Sequence, residues 1–297
     1  MDTLAKALIS RASGQSKLRV DDVVICEVDL AMIHDSGGPR RVKPILDRLQ
    51  RQVWDKDKIV VVTDHYVPAD NAETQAIQAL TKQWVQDQSI DKFYDEQGIC
   101  HVVLPERGHL APGLFCVGGD SHSPTGGAFG AYMFGIGATE MAGVLATGEI
   151  WIKVPETILM SWRNQLSAYV TAKDMMLAMC RKIGMGGGRY QAIQYAGQTI
   201  QALSMQERMT LSNMAAELGA QAGLIAPDEA TVAFVQAAGG TVPANWRDFQ
   251  IEAAESAENV MQFDAASLEP QIAAPHSPEN ADAADAFRNI SFDVAYI

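Results

Sequence analysis

Ile59-Val60-Val61-Val62-Thr63 is a continuous β-branched run, too short for a buried helix and without the alternation of a half-exposed strand. A run of this kind belongs in a parallel strand covered on both faces. It ends in Asp64-His65, so a carboxylate and an imidazole stand at the strand's C-terminal end, where open α/β sheets place their ligands. The same design recurs where Leu114-Phe115-Cys116-Val117-Gly118-Gly119 runs into Asp120-Ser121-His122. Between and around these runs lie helical spacings. Residues 44–54 place Ile45, Leu46, Leu49 and Val53 on one face, residues 71–87 follow an Asn71 cap, and Thr139–Ala146 follows a glycine-rich stretch. Residues 20–33 and 100–104 read as further strands. Strands alternating with helices predict a three-layer α/β/α domain over residues 1–155.

A second, smaller α/β domain is expected over residues 156–275, with helices at Ala172–Ile183 and Ser204–Gly219 around a glycine turn at 186–188. The small, polar, Pro-containing stretch 273–286 reads as a linker, and residues 290–297 alternate like the first strand of a third domain.

The chemistry-bearing groups are Asp64-His65, Asp120-Ser121-His122 and the pair Asn213 and Glu217, four apart and so on one face of a helix. A carboxylate that holds one ring nitrogen fixes the tautomer and raises the basicity of the other, which suits proton transfer near neutral pH. Asp120-Ser121-His122 is no hydrolytic triad, because adjacent residues of an extended chain diverge and no nucleophile elbow surrounds the serine. A dinucleotide fingerprint fails at Gly135-Ile136-Gly137-Ala138-Thr139-Glu140, which has Glu where a third small residue is needed. The glycines are expected to bring loops close to a ligand or a neighbouring element. His65, His101 and His122 leave a metal-dependent hydrolase open as an alternative.

A net charge of −13 argues against nucleic acid and against an anionic membrane as partners, since both repel it. It leaves room for an anionic substrate, provided a few cations such as Arg40 and Arg41 reverse the local field. The N-terminus lacks the basic flank and apolar core of a signal peptide, and the four cysteines, Cys26, Cys100, Cys116 and Cys180, form no C-x-x-C pair. Buried free thiols in a cytoplasmic protein are the expectation.

The run Gly98-Ile99-Cys100-His101-Val102-Val103-Leu104-Pro105-Glu106, then Pro112-Gly113 and Gly119–Gly130, then Phe134-Gly135-Ile136-Gly137, resembles the large subunits of the aconitase and isopropylmalate isomerase family. So do His34-Asp35, Asp64-His65 with Val67-Pro68, Leu203-Ser204-Met205, Glu207-Arg208-Met209-Thr210 and Ser212-Asn213-Met214. The resemblance implies reversible dehydration of a hydroxy-di- or tricarboxylate at a [4Fe–4S] cluster, one iron of which acts as a Lewis acid. By motif, Asp64 and His65 would handle the proton of the leaving hydroxyl, and Asp120 and His122 would form a second such pair. Ser121 would contact substrate, His101 would assist the bound water, Glu217 would hydrogen-bond it, and Asn213 would sit beside the cluster. The base that takes the carbon-bound proton belongs to a separate small, swivelling subunit in the family.

Two departures bear on the chemistry. Where the family often has a glutamine that touches a substrate carboxylate, this chain has Arg40, which could pair bidentately with one. That leaves isopropylmalate, homoaconitate, citrate, citramalate and dimethylmalate open as substrates. The resemblance also puts the three cluster cysteines just past residue 297, so the chain alone is expected to hold no cluster and to be inactive. The cluster-bearing domain would then come from another chain or be missing, and the alternative is a non-catalytic remnant that acts as a binding module. Loss of that domain would expose apolar surface.

Overall fold

The computed structural model describes residues 3–252 and 259–294. In chain order the first half runs α1 (Leu4–Ser13), β1 (Val23–Glu27), β2 (Leu30–His34), α2 (Pro39–Leu49), β3 (Ile59–Thr63), α3 (Ala72–Asp87), β4 (Phe93–Asp95), α4 (Cys100–Glu106), β5 (Phe115–Gly118), β6 (Tyr132–Gly135), α5 (Ala138–Thr147) and β7 (Glu149–Lys153). The second half adds β8 (Thr157–Arg163), α6 (Ala172–Ile183), β9 (Ala192–Ala196), α7 (Gln198–Ala202), α8 (Met205–Asn213), β10 (Ala222–Ile225), α9 (Glu229–Ala237), β11 (Val260–Asp264), β12 (Gln271–Ala273) and β13 (Ala281–Ala283).

The first sheet is parallel throughout, in the order β4-β3-β2-β5-β6. Its inner strands β2, β3 and β5 are buried on both faces, as the β-branched run requires. Ala31, Ile33, Ile59, Val61, Phe115 and Val117 face a core closed by α1, α2, α3 and α5. Leu30, Met32, Val60, Val62 and Cys116 face the opposite core, closed by α4 together with Phe129, Met205 and Val235. This is the expected three-layer α/β/α arrangement. From β2 the chain winds one way to β3 and β4 and then returns to the other side for β5 and β6, which makes the β2–β5 boundary the topological switch point.

A second parallel sheet, β10-β9-β8-β11, packs Ile158, Met160, Trp162 and Tyr195 against α6 and α8. Its other face contributes Ala192, Ala222 and Leu224 to the core of the first half, so apolar packing is continuous between the sheets. The Ser123–Phe129 3-10 segment lies in this joint, with Gly127 against Gly223 of β10. Any Cβ on Gly127 would fall 1.9 Å from the Gly223 carbonyl oxygen.

The structure corrects five local expectations. Residues 20–33 form two strands, β1 and β2, because β1 leaves the main sheet to pair antiparallel with β7. Helix α2 spans Pro39–Leu49, so residues 50–54 of the expected 44–54 helix lie outside it. Pro39 starts the helix and Gln50, at φ 52°, ends it in the left-handed region. Cys100–Glu106 is a helix, not a strand. Its buried residues, Cys100, Val103 and Leu104, follow i, i+3, i+4 spacing, and the Asp64 carboxylate accepts the Cys100 N–H at 2.7 Å and so caps its start. Finally, residues 273–286 carry the end of the short β12–β13 hairpin and two 3-10 turns, packed on α6. Arg181 pairs with Asp282, and the Asp174 carboxylate accepts the Gln271 N–H. Of the strand expected over 290–297, residues 290–294 are not β-structure and 295–297 lie outside the described residues.

Candidate active site

The switch point of the first sheet gathers the predicted residues. His34 ends β2 and donates from Nε2 to the Gly119 carbonyl at 3.0 Å, while its Nδ1 accepts the Ser36 and Gly37 N–H groups. Asp35, fully buried, accepts N–H groups from Ser36, Asp64, His65 and Tyr66. That buried carboxylate clamps the turn after β3 to the end of β2. The imidazole of His65 stacks on that of His34, with ring centroids 3.8 Å apart. Sequence reasoning counted His34 and Asp35 only as family matches. The signal that could have found them is that they repeat, in reverse order, the Asp-His pair at the end of β3.

Asp120, just past β5, is the hub. Its Oδ1 accepts from His101 Nε2 at 2.7 Å and from the His122 N–H at 2.8 Å, and its Oδ2 lies 3.5 Å from His65 Nε2. His65 donates from Nδ1 to Asp64 at 2.6 Å. His122 Nε2 lies 3.2 Å from both oxygens of Glu217, and its Nδ1 lies 3.1 Å from Ser121 Oγ. Asn213 donates to Thr125 Oγ1 at 2.9 Å, on the loop that carries His122. Asn213 and Glu217 do not share a continuous helix, since α8 ends at Asn213 and a 3-10 turn leads to Glu217. Both nevertheless meet that loop.

The electrostatics follow from these contacts. His65 is pushed up to about 10 by its bonds to Asp120 and Asp64, and His122 to about 10 by Asp120 and Glu217. Three histidine partners hold Asp120 well below the usual carboxylate range. Burial alone would raise Asp64, but the bonds from His65 and the Cys100 N–H outweigh it and lower it. His34 moves the other way, lowered by burial and then by the neighbouring His65 charge. At neutral pH the site therefore presents two imidazolium donors beside a neutral, structural imidazole.

Arg40 is turned away from this cluster. Its Nε donates to the Ser36 carbonyl at 2.9 Å, its Nη2 donates to Tyr66 Oη at 3.0 Å, and its guanidinium lies over the Tyr66 ring. Arg41 instead lines a cavity of about 290 Å³ together with His34, His65, Asp120 and Ser121.

Neither metal reading from the sequence finds its donor set here. His65, His101 and His122 each turn a ring nitrogen toward Asp120. Among the described residues, only His34, Asp35, Asp64 and His65 bring metal-capable atoms within 4.8 Å of one another. There, His34 and Asp35 are committed to the backbone. Cys26, Cys100, Cys116 and Cys180 are buried on four separate elements, and burial pushes their thiols up, Cys26 to about 12 and Cys180 to about 11. These thiols do not fit the three-thiolate coordination of a [4Fe–4S] cluster. None of the described helices is long and apolar enough to cross a membrane.

A family model described as the aconitase family (aconitate hydratase) matches residues 6–293. The "probable 3-isopropylmalate dehydratase large subunit" of Methanothermobacter thermautotrophicus is 41% identical over 279 residues, which are 94% of this chain and 66% of that protein. The "3-isopropylmalate dehydratase large subunit 1" of Methanopyrus kandleri is 40% identical over 296 residues, 99% of this chain and 70% of that one. The "probable methanogen homoaconitase large subunit" of Methanosarcina mazei is 41% identical over 258 residues, 86% of this chain and 65% of that one. The chain thus spans about two thirds of the length of the curated relatives it matches.

Proposed function

The chain belongs to the aconitase family, and on that premise we propose that it is the large-subunit part of a hydro-lyase that dehydrates and rehydrates a hydroxy-di- or tricarboxylate. An isopropylmalate-type isomerisation is the preferred reaction, with homoaconitate the next candidate, in keeping with what the similar proteins are named for. The observation that carries the proposal is Asp120, shared by His65, His101 and His122 at the sheet's switch point.

Breaking a C–O bond at neutral pH requires a proton on the departing oxygen. In our reading His65, held as imidazolium between Asp64 and Asp120, gives that proton from Nε2, and the oxygen leaves as water. Asp64 keeps Nδ1 protonated and so keeps the ring in the donating orientation. His122, held between Asp120 and Glu217, is the second acid, and Glu217 and His101 hold the water. Ser121 meets the substrate. Asn213 braces the His122 loop through Thr125. The carbon-bound proton goes to a base on a small-subunit partner. The cluster and its thiolates would be supplied in the assembled enzyme, where an iron would act as a Lewis acid on the departing oxygen. The two sheets are read as two units, about residues 1–155 and 156–275, in a cytoplasmic protein.

The test is anaerobic reconstitution of residues 1–297 with iron and sulfide, followed by a hydration assay, alone and after mixing with a cluster-bearing domain and a small subunit of an aconitase-family enzyme. Turnover only in the mixture, lost in H65Q and H122Q, is the expected result. Turnover by the chain alone, or full activity in both variants, refutes the proposal.

A further inference from the structure

Arg40 and Arg41 sit side by side in sequence, yet the fold gives them different work. Arg40 spends its Nε on the Ser36 carbonyl, an Nη2 on Tyr66 Oη, and its flat face on the Tyr66 ring. It braces the loop after β3 and does not line the cavity. Arg41 is exposed, enters none of the ion pairs formed among the described residues, and lines the cavity that also holds His65, Asp120 and Ser121. It is the only lysine or arginine in that lining.

The charge around the cavity makes this position matter. Asp35, Asp64, Asp120 and Glu217 surround two imidazolium rings, so the fixed charges lean negative. A substrate with two carboxylates would be repelled without a further cation. Arg41 is long, permanently charged and forked, which matches a carboxylate bidentately. The cavity, at about 290 Å³, lies at the lower end of small-molecule sites, so a substrate whose oxygen reaches His65 keeps its carboxylates close to Arg41.

We infer that Arg41, not Arg40, is the specificity residue that reads a substrate carboxylate in the cavity shared with His65, Asp120 and Ser121. The inference rests on the hydroxy-acid reading above and deepens it: the substrate must present a carboxylate within reach of Arg41 when its hydroxyl meets His65. Arg40 then acts as a positioning residue for Tyr66 and the loop that holds His65.

The test is an NMR titration of the full chain, followed at the imidazole signals of His65 and His122, with two probes. One is 3-isopropylmalate; the other is a pair of monoamides in which one or the other carboxylate is neutral. The wild type should bind the diacid more tightly than one of the two monoamides. R41Q should weaken the diacid roughly tenfold to hundredfold and leave that monoamide unchanged, erasing the discrimination, as the loss of one charge-assisted bond predicts. R41K should restore part of it. R40Q should lower thermal stability while keeping the ratio of diacid to monoamide affinity. Equal weakening of diacid and both monoamides in R41Q, or loss of discrimination in R40Q but not in R41Q, overturns the assignment to Arg41. No binding of either probe by the wild type would instead overturn the hydroxy-acid reading on which it rests.

Discussion

Replacing Asp120 by asparagine keeps the volume and an acceptor for the His122 N–H, but removes the charge shared by three imidazoles. His65 and His122 each stand at about 10 against an ordinary 6.5, with Asp120 the foremost cause in both. Each keeps a second carboxylate, Asp64 or Glu217, so each should fall only part of the way, by roughly 1–2 pKa units. A unit is worth about 1.4 kcal/mol, but both side chains are 35% exposed and the interaction is screened accordingly. A net loss of about 1–2 kcal/mol of folding stability is expected. The sign with pH follows from the direction of the shifts. A raised imidazole stabilises the fold fully below its unfolded value of 6.5 and loses that contribution as pH rises through its folded value. Asp120, being lowered, contributes above its ordinary 3.8 and loses its contribution only as pH falls through its folded value. The gap between wild type and D120N should therefore be widest between 3.8 and 6.5 and narrow toward about 10. Long-range nitrogen–proton NMR of the imidazoles gives the two titrations, and urea unfolding at several pH values gives the gap. Unchanged titration of His65 and His122 in D120N, or a gap that grows with alkalinity, refutes the hub assignment.

Three further outcomes are expected. For the wild type, the stability supplied by His65 and His122 should decline from 6.5 upward and be lost above about 10, which unfolding at graded pH checks directly. Gly127→Ala should cost about 1–3 kcal/mol or more, because its Cβ would meet the Gly223 carbonyl oxygen at 1.9 Å, backbone against backbone. Gly143→Ala, inside α5 with nothing within 4 Å of the new atom, should instead stabilise by roughly 0.5–1 kcal/mol. Calorimetry on the two variants reads opposite signs, and a stabilised Gly127→Ala would refute the account of the joint between the sheets.

The layered α/β class and the strand ends that carry chemistry can be read from the residues alone. Five β-branched residues in a row at 59–63, four of them apolar, call for a strand covered on both faces, and whatever follows such a strand emerges at its C-terminal end. Asp64-His65 and Asp120-Ser121-His122 were legible for that reason, and the helix expected at Ala172–Ile183 matches α6, which the structure bounds with a Thr171–Asp174 capping box and Gly184. Where a tertiary contact outweighs local preference, the sequence misled. Cys100–Glu106 is rich in strand formers, yet a carboxylate 36 residues away caps it as a helix. Residues 273–286 have linker composition, yet α6 offers them a surface and an ion-pair partner in Arg181.

Only the folded chain decided which side chains share a proton-transfer network. Spacing cannot show that one carboxylate, Asp120, serves three histidines, one after β3, one in α4 and one after β5, because that depends on strand order. Nor can it separate Arg40 from Arg41. Adjacent residues at the start of a helix point about 100° apart, so one turns back to brace its own loop while the other faces the cavity.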